Sequence, residues 1–493
     1  MQETKPHSQQ ARARFVVPSR NDSFLRNFTE LIGGPLGRHS SPGLISPGFF
    51  TVERVLMILT VAAALFSVLI KGYCRVNGWG TPQQFYATCY SDFPELFRGR
   101  GLADGAFPFS AQGSSFEYPV LTGLIAGITA WLVPGHGASA DRVLGYFDVN
   151  ATLIAAVWIV TVLATARINR RRPWDAAMVA IAPGIILAGV INWDMWAVAL
   201  LALGMLFFAR ERPVMAGIFI GLGTATKLYP VLILGAVLLL ALRTGRLRVF
   251  FVTTVAAVLA WLVVNLPVAA INPAGWRYFY DFSQDRPPGY SSLWFSYNLV
   301  AQRLHLVPLS TDASNALATS MFLVACFLIA LLALAAPHRP RLAQLTFLIV
   351  AAFVLSNKVY SPQFVLWLIP LLALARPKWR DFLLWQATEA LHWTATWMYL
   401  GQVTSGGPSQ NNIDMPYYVM AVMLHMLVTA YLMFRVAWDI WEPRLDPVRI
   451  DAVDDPHGGL FDRAKDWMRI DLERPSASLL PWRAPRNEVE RDG

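Results

Sequence analysis

Apolar stretches of about 15 to 22 residues recur along most of the chain and are separated by short polar turns. An apolar helix of about 20 residues is long enough to cross the hydrocarbon core of a bilayer. The pattern therefore predicts an all-α polytopic membrane protein with about twelve membrane-crossing helices. The predicted spans are residues 52–70, 148–166, 174–190, 195–209, 214–225, 228–242, 249–268, 315–336, 342–355, 364–375, 382–400 and 417–436.

Residues 118–133 are also apolar, but they are not counted as a span. Counting them would place the arginine-rich residues 167–172 outside the membrane, against the preference of basic turns for the cytoplasmic side. We therefore expect an interfacial helix at 118–133, inside a large first periplasmic loop at 72–147. Several predicted spans are short, so helices that end below the outer surface are expected to leave a cavity there.

The polar ends of the chain are predicted to be cytoplasmic tails. Residues 1–50 form the first tail, residues 51–437 the transmembrane domain and residues 438–493 the second tail. Apolar residues recur at helical spacing within the second tail, which fits either a helix on the inner membrane surface or a loosely ordered segment. These residues are Leu460, Phe461, Ala464, Trp467, Met468 and Leu472.

Composition and charge support the membrane assignment. Hydrophobic residues make up 55% of the chain and charged residues only 15%, whereas a soluble domain carries about a quarter charged residues. The net charge of +9 is concentrated in the short turns, which indicates a topology signal and not nucleic-acid binding.

Two of the three cysteines lie on the same predicted side of the membrane. Cys74 and Cys89 flank the start of the first loop and either close a loop of about 15 residues as a disulfide or remain two free thiols. Cys326 lies in an apolar run and is expected to be a small packing residue.

The first loop contains the carboxylates Asp92 and Glu117, with Arg98 and Arg100 between them. Asp92 begins an Asp-Phe-Pro-Glu sequence that is typical of a helix start, where it would serve as the N-cap. A carboxylate in a cleft at the lipid boundary is also suited to act as a general base. Glu117 also has two interpretations. It could bind substrate, or its negative charge could simply be favourable near the start of the following helix.

Two outer turns repeat a lysine followed two residues later by a tyrosine. Lys227 precedes Tyr229, and Lys358 precedes Tyr360, each close to a proline. A lysine ammonium is a compact point charge that suits a phosphate ligand. Both lysines could instead extend toward the lipid headgroups.

Other polar residues carry weaker signals. Asp194 follows an Asn-Trp pair at the start of a predicted span and is either a helix cap or a ligand. His305 and His392 are lone histidines, for which a structural role is expected. No set of His, Cys and Glu has the spacing of a zinc site, and there is no phosphate-binding glycine loop. The prediction is therefore that no metal is bound and no cofactor is required.

Taken in order, these motifs resemble glycosyltransferase family 87, whose members are C-type (GT-C) membrane glycosyltransferases and include α-mannosyltransferases of actinobacterial cell-envelope glycolipids. The resemblance covers roughly residues 50–440. The motifs that carry it are Tyr-Ser-Asp and Arg-Gly-Leu in the first loop, Glu-Tyr-Pro before the interfacial helix, Asn-Trp-Asp, Thr-Lys-Leu-Tyr-Pro and Asn-Lys-Val-Tyr-Ser-Pro-Gln.

The resemblance implies a GT-C-like bundle in the plasma membrane with its active site on the periplasmic side. The implied reaction transfers a sugar, mannose in the first instance, from a polyprenyl phosphate to a cell-envelope glycolipid or polysaccharide with inversion at C1. Related eukaryotic mannosyltransferases carry an Asp-x-Asp in the first loop, which this chain lacks, so metal dependence is not carried over. Membrane lipids, donor and acceptor are the implied partners, and nucleic acid is not.

Within that reaction Asp92 matches the position of the family's catalytic base. The remaining assignments follow from the resemblance and from side-chain chemistry. The donor phosphate is assigned to Lys227, Lys358, Arg98 and Arg100. The substrate-binding residues are assigned as Glu117, Tyr118, Asp194, Tyr229, Tyr360 and His305.

Three other functions compete with this prediction. An arabinofuranosyltransferase would differ only in the sugar of its donor. A transporter or flippase of lipid-linked sugars would be expected to show repeated halves, and no clear half-repeat is visible in the sequence. A non-catalytic membrane scaffold would have no need for two outer Lys-x-Tyr turns.

Overall fold

The computed structural model describes residues 16–33, 48–110, 116–406, 412–449, 453–470 and 480–481. Nearly all regular structure in these ranges is helical. Their β-structure is limited to two antiparallel two-residue strands, β1 (Met468–Arg469) and β2 (Leu480–Pro481). The predicted all-α fold class is therefore confirmed.

The amino-terminal third contains two long apolar helices and, between them, the short helices of the first loop. These elements are α1 (Pro18–Asn21), α2 (Ser23–Gly33), α3 (Val52–Ile70), α4 (Gly72–Asn77), α5 (Gln83–Tyr86), α6 (Asp92–Gly99), α7 (Val120–Trp131) and α8 (Ala140–Ile168). At about 1.5 Å per residue, a helix as short as α7 cannot cross a hydrocarbon core of about 30 Å. It packs against α8 and against later helices of the bundle.

The remaining helices form the bundle and one long connection. They are α9 (Ala177–Ala180), α10 (Pro183–Ala188), α11 (Asp194–Ala209), α12 (Pro213–Thr226), α13 (Ile233–Thr244), α14 (Leu247–Ile271), α15 (Pro273–Asp285), α16 (Leu293–Arg303), α17 (Thr311–Ala335), α18 (Leu342–Ser356), α19 (Val365–Ala375), α20 (Trp379–Thr404) and α21 (Met415–Trp441). Short 3-10 turns lie at Leu102–Asp104, Pro173–Ala176, Tyr229–Leu232, Pro362–Phe364, Pro443–Leu445 and Gly459–Phe461.

Among the described residues, five helices are long and apolar enough to cross a membrane. They are α3, α8, α14, α17 and α21. Several shorter apolar helices, including α11, α12, α18 and α19, pack among them. Because these helices are short, their ends lie within the bundle and leave room for polar turns. The number of crossings and the orientation of the chain remain predictions.

One predicted span is wrong in form. Residues 174–190 were expected to make one continuous helix, but they fold as a 3-10 turn, α9 and α10. The break lies at Ala182-Pro183, where Ala182 has an extended ψ of 120°. Proline cannot donate the backbone hydrogen bond that would continue the preceding helix, and it disfavours helical geometry in the residue before it.

The carboxy-terminal segment is neither an amphipathic helix nor a loose tail where it is described. Leu460 and Phe461 lie in a 3-10 turn at Gly459–Phe461, Met468 lies in β1, and Ala464 and Trp467 lie between these elements. Phe461 is fully buried against Phe208. Leu472 lies outside the described residues. This segment folds back over the ends of several helices, because its aspartates meet arginines from the turns between them.

These arginine–aspartate pairs are largely buried. Arg341 is fully buried and donates from Nε to Asp446 Oδ2 at 2.7 Å, while its other nitrogens donate to the carbonyl oxygens of Leu374 and Ala375. A buried ion needs such a partner, since an unpaired charge in a dry interior is strongly destabilising. The other pairs are Arg172–Asp175, Arg243–Asp466, Arg339–Asp454, Arg376–Asp381 and Arg376–Asp439.

The first loop is compact. A disulfide joins Cys74 and Cys89, whose Cα atoms are 5.9 Å apart, so the first of the two alternatives for these cysteines holds. Phe93 and Phe97 of α6 are fully buried, and Phe97 stacks on Tyr146 of α8 with ring centroids 4.4 Å apart. Because of these contacts, the loop and the bundle share one core.

The buried pair of Arg341 and Asp446 provides a test of this fold. We expect Asp446→Asn to lower the free energy of unfolding by about 3 kcal/mol, because the Arg341 guanidinium would remain buried without its counter-ion. The melting temperature of the detergent-solubilised protein measures this loss. Glu442→Gln is the control, since Glu442 faces the exposed Arg444 at 3.9 Å and such pairs contribute about 0–1 kcal/mol. An Asp446→Asn protein that melts with the wild type would contradict the expected role of the pair.

Candidate functional site

A cavity of about 760 Å³ opens between the first loop, the segment around α15 and the turns that follow α12 and α18. Aromatic residues such as Phe282, Tyr290 and Trp397 form much of its wall. The cavity brings together seven of the residues predicted from the sequence, although they come from distant parts of the chain. These residues are Asp92, Glu117, Tyr118, Lys227, Tyr229, Lys358 and Tyr360.

Four predicted residues do not line this cavity. Arg98 donates to the carbonyl oxygen of Trp79 at 2.7 Å, and Asp194 is buried below the cavity wall. Arg100 forms a two-pronged ion pair with Glu117, at 2.6 and 2.9 Å. His305 is exposed and follows α16 with a positive φ of 57°. The roles assigned to these four residues stay predictions.

The helix that presents Asp92 begins one residue earlier than the sequence suggested. Ser91 is the N-cap of α6, and its hydroxyl oxygen accepts a hydrogen bond from the backbone N–H of Phe93 at 3.3 Å. Asp92 is the first helical residue, so the interpretation of Asp92 as the N-cap is wrong. Its side chain is therefore not engaged in capping, and it is partly accessible from the cavity.

Two backbone carbonyls of the turn before α11 hold the start of α6 in place. The backbone N–H of Asp92 donates to the carbonyl oxygen of Ile191 at 2.7 Å, and the Ser91 hydroxyl donates to that of Val190 at 2.9 Å. The side chains continue this connection. Asn192 Nδ2 donates to the Tyr118 hydroxyl at 3.3 Å, and that hydroxyl donates to Asp92 Oδ2 at 2.7 Å.

The surroundings of Asp92 change its proton affinity. Burial raises the pKa of Asp92, while the hydrogen bond from Tyr118 and the charge of Lys227 act in the opposite direction. Burial and the nearby Asp92 charge raise the pKa of Tyr118 well above its usual value, so this phenol keeps its proton and acts as the donor. A carboxylate with a raised pKa is a stronger base than an exposed aspartate.

Lys227 is already paired with a carboxylate. Its Nζ lies 2.8 Å from Asp194 Oδ1 and 4.6 Å from the centre of the Tyr118 ring. The other carboxylate oxygen of Asp194 accepts a hydrogen bond from Trp367 Nε1 at 3.0 Å. Because Asp194 is buried, most of the Lys227 charge is balanced within the protein before any ligand binds.

Arg286 is a cation of the cavity that the sequence analysis missed. It follows α15, lines the cavity and packs over the ring of Phe282 with 5.4 Å between the guanidinium carbon and the ring centre. In the part of the chain that the structure describes, no carboxylate lies within ion-pair distance of it. An arginine in a long polar loop has no distinguishing sequence signal, so only the fold places it here.

Lys358 lies in the same wall as Arg286. Its Nζ donates to the carbonyl oxygen of Gln284 at 2.6 Å. Burial and, secondly, the positive charge of Arg286 lower the pKa of Lys358. Burial also lowers the pKa of Arg286, while the charges of Asp92 and Glu117 counteract it. An anion bound between these two cations would relieve their mutual repulsion.

Comparison with known proteins tests the family that the motifs predicted. The glycosyltransferase family 87 profile matches residues 116–357, a region that includes Tyr118, Lys227 and Arg286, whereas Asp92 and Lys358 lie outside it. Among solved structures, the chain is similar to the apo form of the oligosaccharyltransferase of Archaeoglobus fulgidus. That similarity has 14% identity and a TM-score of 0.35, and covers 79% of this chain and 56% of the other. No curated protein matches the chain significantly. The family predicted from the motifs is nevertheless confirmed by the profile of glycosyltransferase family 87, which matches residues 116–357, just under half of this chain.

Proposed function

We propose that this membrane glycosyltransferase transfers a sugar, mannose in the first instance, from a polyprenyl phosphate to a cell-envelope glycolipid or polysaccharide. One observation carries the proposal. The wall of a single cavity presents a carboxylate held by a tyrosine, Asp92 with Tyr118, and two cations without carboxylate partners among the described residues, Arg286 and Lys358. A base and an anion-binding pair are the two groups that transfer from a sugar phosphate requires.

The surroundings of the cavity support a lipid-linked donor. Its wall includes residues of the apolar helices α18 and α19, and aromatic residues cover much of it. A polyprenyl-phosphate sugar has its chain in the hydrocarbon and its phosphate at the interface. The phosphate could then meet Arg286 and Lys358 while the sugar lies against the aromatic wall.

In the proposed reaction Asp92 accepts the proton of the acceptor hydroxyl as its oxygen attacks C1 of the sugar. The new C1–O bond forms on the face opposite the breaking C1–O(phosphate) bond, so the configuration at C1 inverts. Polyprenyl phosphate leaves with the bonding electron pair. General-base assistance of this kind typically contributes about 10²- to 10⁴-fold in rate. Polyprenyl phosphate is a fair leaving group, so the proposed reaction has no required metal or organic cofactor.

The departing phosphate gains negative charge during the reaction, and Arg286 and Lys358 would stabilise it. The sequence analysis assigned phosphate binding to Arg98 and Arg100, which do not line the cavity, and we propose Arg286 for this role instead. Lys227 is proposed to act indirectly, since its ion pair with Asp194 fixes the turn that carries it and places its charge near Tyr118.

The disulfide of the first loop supports a periplasmic or extracellular active site. Disulfides persist in oxidising compartments, and Cys74–Cys89 lies at the end of α3 that leads into the cavity-forming loop. At the other end of α3, Glu53 pairs with Arg167 of the basic turn. The first loop and this basic turn therefore lie at opposite ends of the helix. We propose a plasma-membrane protein with both termini in the cytoplasm.

The first test is the product of the purified enzyme. Incubation with polyprenyl-phosphate mannose and candidate acceptor lipids is expected to give mannosylated product, detected by mass spectrometry. Asp92→Asn should lower the rate at least about 100-fold, because an amide cannot take the acceptor proton. Asp104→Asn is the control, since Asp104 is an exposed aspartate of the same loop that does not line the cavity.

Near-normal turnover by Asp92→Asn would contradict the assignment of the base. Product from polyprenyl-phosphate arabinose alone would replace mannose by arabinose as the sugar. The transporter alternative predicts a different result. Neither donor would give product, and labelled lipid-linked sugar would cross the bilayer of vesicles that contain the protein.

The pH dependence of the reaction provides a second test. Asp92 must be unprotonated to act as a base, so the rate is expected to fall as the pH drops through its raised pKa. The acidic limb of kcat/KM should therefore lie above the usual aspartate value of about 4. Tyr118→Phe removes a hydrogen bond that lowers this pKa, and the limb is expected to move to still higher pH. A limb that does not respond to Tyr118→Phe would contradict the pairing.

The third test addresses the phosphate. Arg286→Gln is expected to weaken inhibition by free polyprenyl phosphate about 10-fold or more, because one of the two cations that hold it is removed. Arg277→Gln is the matched control, since Arg277 lies on α15, the helix that ends just before Arg286, but is exposed and does not line the cavity. Equal inhibition constants for the two variants would show that Arg286 does not bind the phosphate.

A further inference from the structure

A second cluster of polar residues lies behind the cavity, between α20 and α21. Glu389 and His392 stand one turn apart on α20, and His425 faces them from α21. All three side chains are buried. One oxygen or nitrogen atom from each lies within 4.8 Å of the others. None of the three lines the cavity, so the cluster is distinct from the proposed catalytic residues.

Two imidazole nitrogens of this cluster lack a hydrogen bond. His392 Nδ1 and His425 Nε2 are buried and find no partner among the described residues. His392 Nδ1 points toward Glu389 Oε2 across 3.9 Å, which is too long for a hydrogen bond. The two rings stack face to face with centroids 3.9 Å apart, so they cannot satisfy one another. Of the two, His392 Nδ1 is the one that faces the carboxylate, and an unsatisfied buried nitrogen in this position is suited to bind a cation.

The carboxylate itself also needs a cation. Among the described residues no lysine or arginine pairs with Glu389, and its neighbours are the two histidines, Trp385 and Tyr360. A buried carboxylate without a strong positive partner is costly. Neutral imidazoles do not supply that charge, but they are good ligands for a metal ion that does.

The neighbouring side chains are arranged as ligand-orienting groups. Trp385 Nε1 donates to Glu389 Oε1 at 2.9 Å, and the Thr396 hydroxyl lies 3.3 Å from His392 Nε2. The contact at Nε2 leaves Nδ1 as the nitrogen of His392 that faces the carboxylate. Hydrogen bonds of this kind fix the ring orientation of histidines that bind metals.

We propose that Glu389, His392 and His425 bind one divalent cation of the zinc class, through one carboxylate oxygen and one nitrogen of each imidazole. Two histidines and one glutamate are a ligand set that zinc accepts, with a fourth position left for another ligand. Ligand atoms around tetrahedral zinc lie about 3.3–3.5 Å apart. Glu389 Oε1 and His425 Nδ1 are already at 3.3 Å. His392 offers a ligand atom within 4.8 Å of the other two, so its imidazole has to move toward them to complete the set.

The site would join α20 to α21 beneath one wall of the cavity. The ring of Tyr360, which lines the cavity, packs on His392 and His425 with centroid distances of 5.4 and 4.7 Å. Its hydroxyl lies 3.3 Å from Glu389 Oε2. A metal ion in the cluster would therefore set the position of Tyr360 through its ligands. This role is structural and does not depend on which reaction the cavity performs.

The test measures metal in the full-length protein, purified without a polyhistidine tag and dialysed against chelator-treated buffer. Elemental analysis is expected to give about one zinc-class ion per chain. His425→Gln and Glu389→Gln should each reduce this to less than about a tenth. The control is His136→Gln, since His136 is an exposed histidine of the first loop and its loss should leave the metal content unchanged.

A second measurement does not depend on the variants. Wild-type protein stripped of metal and titrated with Co²⁺ is expected to develop the visible absorption of a four-coordinate site, saturating at one equivalent. Less than a tenth of an equivalent of metal as purified, together with no such band, would overturn the proposal. Equal metal content in the wild type and in a well-folded, monodisperse His425→Gln protein would also overturn it.

Discussion

The candidate site depends on how the first loop is attached to the bundle, where the backbone N–H of Asp92 and the Ser91 hydroxyl donate to the carbonyl oxygens of Ile191 and Val190. The first residues of a helix have N–H groups without partners inside the helix. Here one of them is used to attach α6 to the turn before α11. The same turn supplies Asn192, which holds Tyr118, so the proposed base Asp92 and its hydrogen-bond donor are positioned by one segment.

Buried charge is the constraint that organises the remainder of the molecule. A bundle of apolar helices offers little water to a charged group, so each charge needs a partner inside the protein. At one end of α3, arginines of the turns meet aspartates of the carboxy-terminal segment. Around the cavity, Lys227 meets Asp194 and Arg100 meets Glu117. Among the cations that line the cavity, Arg286 and Lys358 have no carboxylate partner in the described residues, which leaves them available to the proposed anionic donor.

The sequence was sufficient to predict most of the helices and seven of the residues that share one cavity, but not the pairings among those residues. Hydrophobic length identified most helices closely, since burial in a bilayer demands it, yet Pro183 interrupted one of them. Asp92 and Lys227 were recognisable from motifs in single turns. Arg286 and the partnership of His392 with His425 were not, because they depend on how distant segments pack. No local pattern distinguishes an arginine that lines a cavity from one that faces solvent.

The two lysines of the Lys-x-Tyr turns look equivalent in sequence, but their surroundings make them different. Lys227 forms an ion pair with Asp194 that is nearly neutral as a unit, whereas Lys358 adds its charge to that of Arg286. A donor phosphodiester carries about one negative charge, and the departing phosphate carries nearly two at neutral pH. In the proposed reaction, two cations without an ion-pair partner would thus interact more strongly with the departing phosphate than with the bound donor. Lys227, whose charge is largely balanced by Asp194, would add less to this preference. The preference matters because catalysis requires stabilisation of the charge that develops during the reaction, beyond that of the bound donor.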